Sequence, residues 1–354
     1  MRTRLLGRSE LEIPVVVFGA WAIGGWYWGG TDDALAVRAI HAALDHGMNA
    51  IDTAPVYGFG RSEEVVGRAI RDRREHVIVM TKVGLRWDES VGEPYFETID
   101  QDGVKRVVRR HAGPESVRKE VENSLKRLGI DVIDLLQLHW PDPATPIAET
   151  MGALSDLRAA GKIRAIGVSN YTVAMLQEAQ RALGAVPLAS DQPKYNLVAR
   201  DIERELLPYC AVNEVGVIAY SPLEQGLLTG RVPATRTFAA DDGRSKRPTF
   251  TSTNRALVNE VLDRVVRPIA ERHRATVGQV VIAWTVAQKG VTAAIVGART
   301  PEQAIENAAA GDIVLADFEL VAIRSAFEAL ELEVSAGPGL SGKLKSLAKR
   351  FLGR

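Results

Sequence analysis

The stretch VVVFGAWAIGGWYWGG, residues 15–30, decides the fold. It opens with a β-branched, apolar run of the kind that forms a buried strand, and a glycine-rich turn follows. In an open doubly wound sheet that binds a dinucleotide, that turn reads G-x-G-x-x-G, so that backbone can approach a pyrophosphate. Here the glycines fall at 19, 24, 25, 29 and 30, the spacing fails, and tryptophans stand at 21, 26 and 28. The open sheet loses its marker, and a closed one becomes the reading to carry along the chain.

Seven further runs follow the first strand at 15–21, each bounded by Gly, Pro, Asn or Asp: 49–54, 77–83, 132–139, 165–169, 188–193, 216–221 and 292–297. Helical patterns separate them, as at 31–47, 114–129 and 145–161, with capping residues in front and glycine behind. Strands that are apolar on both faces and alternate with helices belong to a parallel sheet covered by crossovers. Eight such units close most simply into a single-domain α/β structure, the (β/α)8 TIM barrel. The expected limits are a barrel over residues 1–333 and a basic, helical C-terminal tail over 334–354. Long, irregular connections are expected at 84–113 after the third strand and 222–254 after the seventh, both read as binding loops.

The 354 residues carry 44 Lys and Arg against 44 Asp and Glu, so no overall field draws the surface toward nucleic acid. Cys210 is the only cysteine, which excludes an intramolecular disulfide and reads as a buried thiol on a helix face. No stretch is apolar for long enough to span a membrane, and the N-terminus lacks an apolar core for a leader, so the expectation is a cytoplasmic protein. The tail GKLKSLAKRFLGR, 342–354, has five basic residues and no acid, with Leu344, Leu347, Ala348 and Phe351 near helical spacing; a terminal helix or solvated segment is preferred there over a membrane-surface helix. His41, His46, His76, His111 and His273 have no acidic or histidine partner at useful spacing, so no metal is expected and they read as surface residues.

Chemistry in such a barrel gathers where the strands end. The strand ends read Gly19 to Trp21, Asp52, Lys82, His139, Ser169 with Asn170, Gln192, Tyr220 with Ser221, and Gly297 with Arg299. Asp52, Lys82 and His139 top the second to fourth strands, and Tyr57 lies on the loop after the second. A phenol of pKa about 10 is a poor acid at neutral pH, and a nearby ammonium is expected to lower it. A buried Lys82 needs a carboxylate to stay charged, which Asp52 supplies. Tyr57 then gives a proton to an oxygen that His139 also binds, an arrangement suited to a carbonyl gaining electrons. These four residues offer no hydride source, so a cofactor is implied.

At this point the chain resembles the aldo-keto reductase family. The matching motifs are IDTAPVYGFGRSEEVVGRAI at 51–70, VMTKVG at 79–84, LLQLHWPD at 135–142, IGVSN at 166–170, DQPKYN at 191–196, IAYSPLEQGLLTGR at 218–231 and IVGARTPEQAIEN at 295–307. They run in family order over nearly the whole barrel. The resemblance implies a catalytic tetrad of Asp52, Tyr57, Lys82 and His139 and an NADP(H) cofactor held without a Rossmann domain. It implies that Ser169, Asn170 and Gln192 hold the nicotinamide carboxamide, with Tyr220 stacked on the ring, and Ala20, Trp21 and Asp52 are also expected among the cofactor contacts. The segment from Ser221 through Pro222, Leu223, Gln225, Gly226 and Leu228 to Arg231 resembles the pyrophosphate belt. Gly297, Arg299, Gln303, Glu306 and Asn307 match the adenosine end, with Arg299 against a 2′-phosphate. One branch of the family has an arginine where Gln303 stands; the Gln-x-x-Glu-Asn form is similar to potassium-channel β subunits and bacterial reductases, and NADP remains preferred over NAD.

Trp21, Trp26, Trp28, Trp87 and Trp140 lie near strand ends or in the first long loop. Trp21, Trp87 and Trp140, with Tyr57 and His139, form the expected substrate pocket, an apolar wall for an aldehyde or ketone. The expected partner is thus a small carbonyl compound, with no charged residue marking itself as a carboxylate anchor. The competing reading is an NADP(H)-sensing regulatory subunit with little turnover, and a lyase or isomerase on the same barrel comes third.

Overall fold

The computed structural model describes residues 1–25, 30, 32–239 and 242–333. The runs read as strands are strands: β1 Val16–Gly19, β2 Ala50–Asp52, β3 Ile78–Val83, β4 Ile133–Leu138, β5 Ile163–Ser169, β6 Leu188–Gln192, β7 Gly216–Tyr220 and β8 Val291–Gly297. All pair in parallel with their neighbours in sequence, and β8 returns to β1, so the sheet is a closed eight-stranded barrel. The register brings the strand ends to one level: Gly19 lies opposite Asp52, Lys82 opposite Gln137, and Ser169 opposite Gln192.

The helices lie outside the barrel and start where the sequence supplies caps. Asp32 accepts from the amides of Ala34 and Leu35 ahead of helix Asp33–Asp45, and Thr172 caps Val173–Leu183. Thr276 and Gln279 form a capping box on Val277–Ala287. Helix Pro114–Leu128 opens on a proline and ends at Gly129 in the left-handed conformation. Cys210 is buried on helix Leu206–Asn213, as its setting suggested.

Inside the barrel, Val17, Ala50, Met80, Leu135, Ala165, Ile218 and Ala293 pack in one cluster with Leu6, Leu11 and Ile13. Those last three come from a hairpin, Thr3–Leu5 with Glu12–Pro14, that closes the N-terminal end of the barrel. The sequence reading had no strands there. With the bottom sealed by apolar side chains, polar groups are left to the C-terminal mouth.

Residues 84–113 correct a second expectation. They are not irregular: Leu85–Arg86, Glu93–Ile99 and Lys105–Arg110 form a three-stranded antiparallel sheet. A tight turn holds its tip, where Asp100 Oδ1 accepts from the amides of Asp102 and Val104. The connection after β7 is a string of short 3-10 turns that ends earlier than expected, because helix Ser252–Val261 starts inside it. Among the described residues no helix is long and apolar enough to cross a membrane. The tail 334–354, with its basic segment, lies outside the described residues, as do Trp26 and Trp28.

Candidate active site

Asp52 ends β2, Lys82 is the penultimate residue of β3, and His139 follows β4. Lys82 Nζ donates to Asp52 Oδ1 at 2.6 Å, to the carbonyl of Thr53 at 2.9 Å and to Tyr57 Oη at 3.2 Å. Lys82 has no exposed surface and Asp52 only 2%. Burial alone would lower the lysine pKa, but Asp52 and the phenol outweigh it and hold it above the usual value. The ammonium thus stays charged because its three donors are all taken, which is the role the sequence assigned to Asp52.

Tyr57 reaches the ammonium through a turn built on close backbone contact. Gly58 has φ +65°, and a Cβ there would sit 2.2 Å from the Gly24 carbonyl oxygen. Thr53 Oγ1 and Ser62 Oγ share a hydrogen bond of 2.9 Å, and Ser62 Oγ donates to the carbonyl of Ala20, so both ends of the turn are tied to the loop after β1. The Tyr57 ring meets the His139 ring edge-on at 5.6 Å and the Trp21 ring at 6.3 Å.

Two pKa directions follow from this packing. Burial, reinforced by the Lys82 charge, holds His139 well below the usual histidine value, so it is neutral and able to donate one N–H to an oxygen. Burial raises the Tyr57 phenol and Lys82 pulls it down, and burial is the larger. The expectation of a lowered phenol pKa is therefore corrected for the chain alone: desolvation wins, and Tyr57 is held as a protonated donor.

Behind the tetrad stands a residue the sequence reading missed. Gln137 Nε2 donates to Asp52 Oδ2 at 3.4 Å and Gln192 Nε2 to the same oxygen at 2.9 Å, while Gln192 also reaches Gln137 Oε1 at 3.3 Å. Both carboxylate oxygens of Asp52 are therefore fixed, one by the ammonium and one by two amides. The signal was present: Gln137 precedes His139 by two, so it shares the inward face of an otherwise apolar strand. The barrel makes room for it at Gly167, where a Cβ would lie 2.9 Å from Gln137 Cγ.

Across the mouth, Ser169, Asn170, Gln192 and Tyr220 form one chain of hydrogen bonds. Ser169 Oγ donates to the Gln192 carbonyl at 2.7 Å, Asn170 Nδ2 to the His139 carbonyl and to Ser169 Oγ, and Tyr220 Oη to Asn170 Oδ1 at 3.0 Å. Asn170 takes φ +61°, a conformation asparagine tolerates well. The turn after β7 goes further, with Ser221, Glu224 and Gln225 all at positive φ ahead of Gly226. Such backbone costs on the order of 1–3 kcal/mol per residue and persists only where the surroundings enforce it. Buried Glu224 does so: Lys194 Nζ and Asn196 Nδ2 donate to its two oxygens at 2.8 and 2.7 Å, and Asn196 also reaches the Ser221 carbonyl. Pro222 and Leu228 are buried beneath this turn.

Further out, Arg231 forms a two-pronged pair with Glu306 at 2.9 and 3.0 Å. Asn307 Nδ2 donates to the Gly297 carbonyl, and Gln303 Oε1 accepts from the Arg299 amide. Arg299 Nη2 donates to the Gly30 carbonyl at 2.7 Å, joining the loops after β8 and β1. Among the residues read as cofactor contacts, Ala20 and Trp21 follow β1 and Asp52 ends β2, and those from Ser169 to Asn307 form one band from β5 to β8, with Ser169, Asn170 and Gln192 at one end and two arginines at the other. Its chemistry, amide donors and acceptors beside left-handed backbone and guanidinium groups, fits a nicotinamide nucleotide.

The tryptophan wall is met in part. Trp87 and Trp140 pack with Tyr57, Phe59 and Phe96 against a cluster of Ala54, Val56, Leu85 and Val108. Phe59 meets Trp87 at 5.7 Å and Tyr95 meets Trp140 at 5.6 Å. The histidine reading needs amending: His111 Nδ1 pairs with Glu89 Oε1 at 2.5 Å and His273 Nε2 with Glu319 Oε2 at 2.9 Å. These partners are remote in sequence, so spacing did not reveal them.

The model of the aldo/keto reductase family matches residues 15–328. The NADH-specific methylglyoxal reductase of Escherichia coli is 39% identical over 332 residues, covering 92% of this chain and 98% of its own. The solved glycerol dehydrogenase AKR11B4 of Gluconobacter oxydans is 40% identical, covers 95% of this chain and 97% of its own, and superposes with a TM-score of 0.82. An aldo/keto reductase of Klebsiella pneumoniae, solved with NADP and acetate, is 30% identical with a TM-score of 0.68 and covers 94% and 100%.

Proposed function

The chain belongs to the aldo/keto reductase family, and from that premise we propose that it is an NADPH-dependent reductase of aldehydes or ketones with Tyr57 as the proton donor. The observation that carries the proposal is the Asp52–Lys82–Tyr57 chain, with neutral His139 edge-on to the phenol. When bound, the nicotinamide supplies the hydride. His139 gives a hydrogen bond to the carbonyl oxygen, and Tyr57 transfers its proton as negative charge grows there. Lys82 stabilises the phenolate left behind, which regains a proton from water. Asp52, pinned by Gln137 and Gln192, keeps the ammonium aimed at the phenol.

Ser169, Asn170 and Gln192 would hold the carboxamide, and Tyr220 would flank the ring and leave one face toward Tyr57. Ser221 to Arg231 would meet the pyrophosphate and Arg299 the 2′-phosphate. For that, Arg231 must share its guanidinium between Glu306 and the phosphates, and Arg299 must do so with the Gly30 carbonyl. One relative is named NADH-specific and another was solved with NADP, so the two nucleotides are compared directly.

The test is a screen of NADPH and NADH oxidation over aldehydes, ketones and quinones. Turnover of carbonyls with NADPH favoured over NADH is the expected result. Tight NADPH binding with negligible turnover across the panel would overturn the proposal and favour a nucleotide sensor.

A further inference from the structure

Resting on the reductase reading, we propose that Tyr95 is a specificity-determining residue whose phenol hydrogen-bonds a neutral oxygen on the substrate, away from the reacting carbonyl. Substrates would then be aldehydes or ketones whose apolar body carries a hydroxyl, an ether or a second carbonyl.

Tyr95 stands where the antiparallel sheet after β3 slips register. Pro94 lies opposite Arg109 and Phe96 opposite Val108, so Tyr95 is an extra residue in strand Glu93–Ile99. Successive side chains of a regular strand point to opposite faces, whereas a bulge re-aims one of them. Here the Tyr95 and Phe96 rings meet at 5.4 Å, and Phe96 packs in the aromatic cluster with Tyr57 and Trp140. The Tyr95 ring also lies 5.6 Å from that of Trp140, the residue directly after His139. Burial, and after it the phenols of Tyr57 and Tyr95, raise the Tyr220 phenol, so Tyr95 is near enough to act on a residue at the end of β7. The bulge thus turns Tyr95 toward the barrel mouth.

Two of these three phenols are already engaged: Tyr57 Oη accepts from Lys82 at 3.2 Å, and Tyr220 Oη donates to Asn170 at 3.0 Å. Tyr95 differs, because its hydroxyl has no hydrogen bond among the described residues. The residue is also 36% exposed, so a ligand at the mouth can reach it. Burial of the rest of the ring, opposed by Arg110, holds the phenol above its usual pKa, so it is protonated and can both donate and accept. Arg110 lies 5.0 Å from the ring centre but is paired with Glu93 at 2.8 Å. With that charge balanced, the phenol suits a neutral oxygen better than a carboxylate.

The test uses matched aldehydes that differ only in a hydroxymethyl, a methoxy or an ethyl group at the meta or para position of benzaldehyde and cinnamaldehyde. The ratio of kcat/KM for each oxygen-bearing compound over its ethyl partner is compared between wild type and Tyr95→Phe, which cancels intrinsic reactivity and keeps the ring. For the best-placed pair the ratio is expected to fall about fivefold, the loss of one hydrogen bond. A ratio that moves less than twofold for every pair overturns the proposal, including the case in which both members of a pair slow equally. Melting temperature and NADPH titration confirm that the variant is folded. If wild type turns over none of these compounds with either nucleotide, the reductase reading falls. Calorimetric dissociation constants of the same pairs then decide the Tyr95 claim alone: a preference for the oxygen-bearing member that Tyr95→Phe abolishes supports it, and equal affinities or no binding overturn it.

Discussion

At the residue scale, the site is a buried ion pair whose removal has two separable effects. Replacing Lys82 with Met leaves Asp52 uncompensated in a site with almost no exposure, which costs about 3–5 kcal/mol. Denaturant unfolding of Lys82→Met should show that loss, and turnover should fall at least a hundredfold; a variant as stable as wild type would mean that Asp52 is not charged. The grouping of Asp52, Tyr57, Lys82 and His139 was legible because three of them sit at or just after strand ends, Tyr57 lies on the loop after one of those strands, and the types explain one another. Gln137 was not singled out, because its spacing from His139 marks it only as inward-facing, and its role shows once Asp52 is seen across the barrel. The sign of the Tyr57 shift was not legible either. It depends on how much water the packed mouth removes, and this is a property of the surrounding aromatic cluster.

At the scale of elements, the turn that carries Tyr57 depends on glycine at position 58. Gly58→Ala combines a left-handed backbone with a Cβ 2.2 Å from the Gly24 carbonyl oxygen. It should cost about 2 kcal/mol or more in stability and lower kcat by displacing the phenol, while Gly129→Ala, where a Cβ meets nothing within 4 Å, should cost less. Thermal melts and steady-state kinetics of the two variants check this, and equal losses would refute it. The eight barrel strands were readable because each is an apolar run between breakers. The sheet over residues 85–110 escaped because it covers the mouth with polar and aromatic residues mixed, as in EPYFETIDQDGVKRVVRR. Its Asp-Gly turn at 102–103 was the available signal.

For the whole molecule, two buried acids set the pH dependence of stability. Burial pushes Asp191, whose Oδ2 has no hydrogen-bond partner among the described residues, up to about 8, and Glu120, whose Oε2 likewise has none among them, also to about 8. Between the ordinary acid pKa near 4 and about 8, the unfolded chain has released these protons and the folded chain keeps them. Stability therefore falls as pH rises through that window. Glu203, lowered to about 2 despite burial by Arg200, Tyr195 and Arg324, acts oppositely: its stabilisation is present above pH 4.5 and is lost as pH falls toward 2. Asp191→Asn should accordingly gain on wild type between pH 4 and pH 8 by on the order of 2 kcal/mol. Melting curves at both pH values test this, and a difference that stays constant with pH would refute it.

The reductase account as a whole turns on one proton. Single-turnover oxidation of NADPH by Tyr57→Phe, with an aldehyde that wild type reduces, isolates it from binding and product release. The account predicts a rate at least a hundredfold below wild type, with the dissociation constant of NADPH changed by less than about threefold. A variant that reduces the aldehyde at the wild-type rate would contradict it.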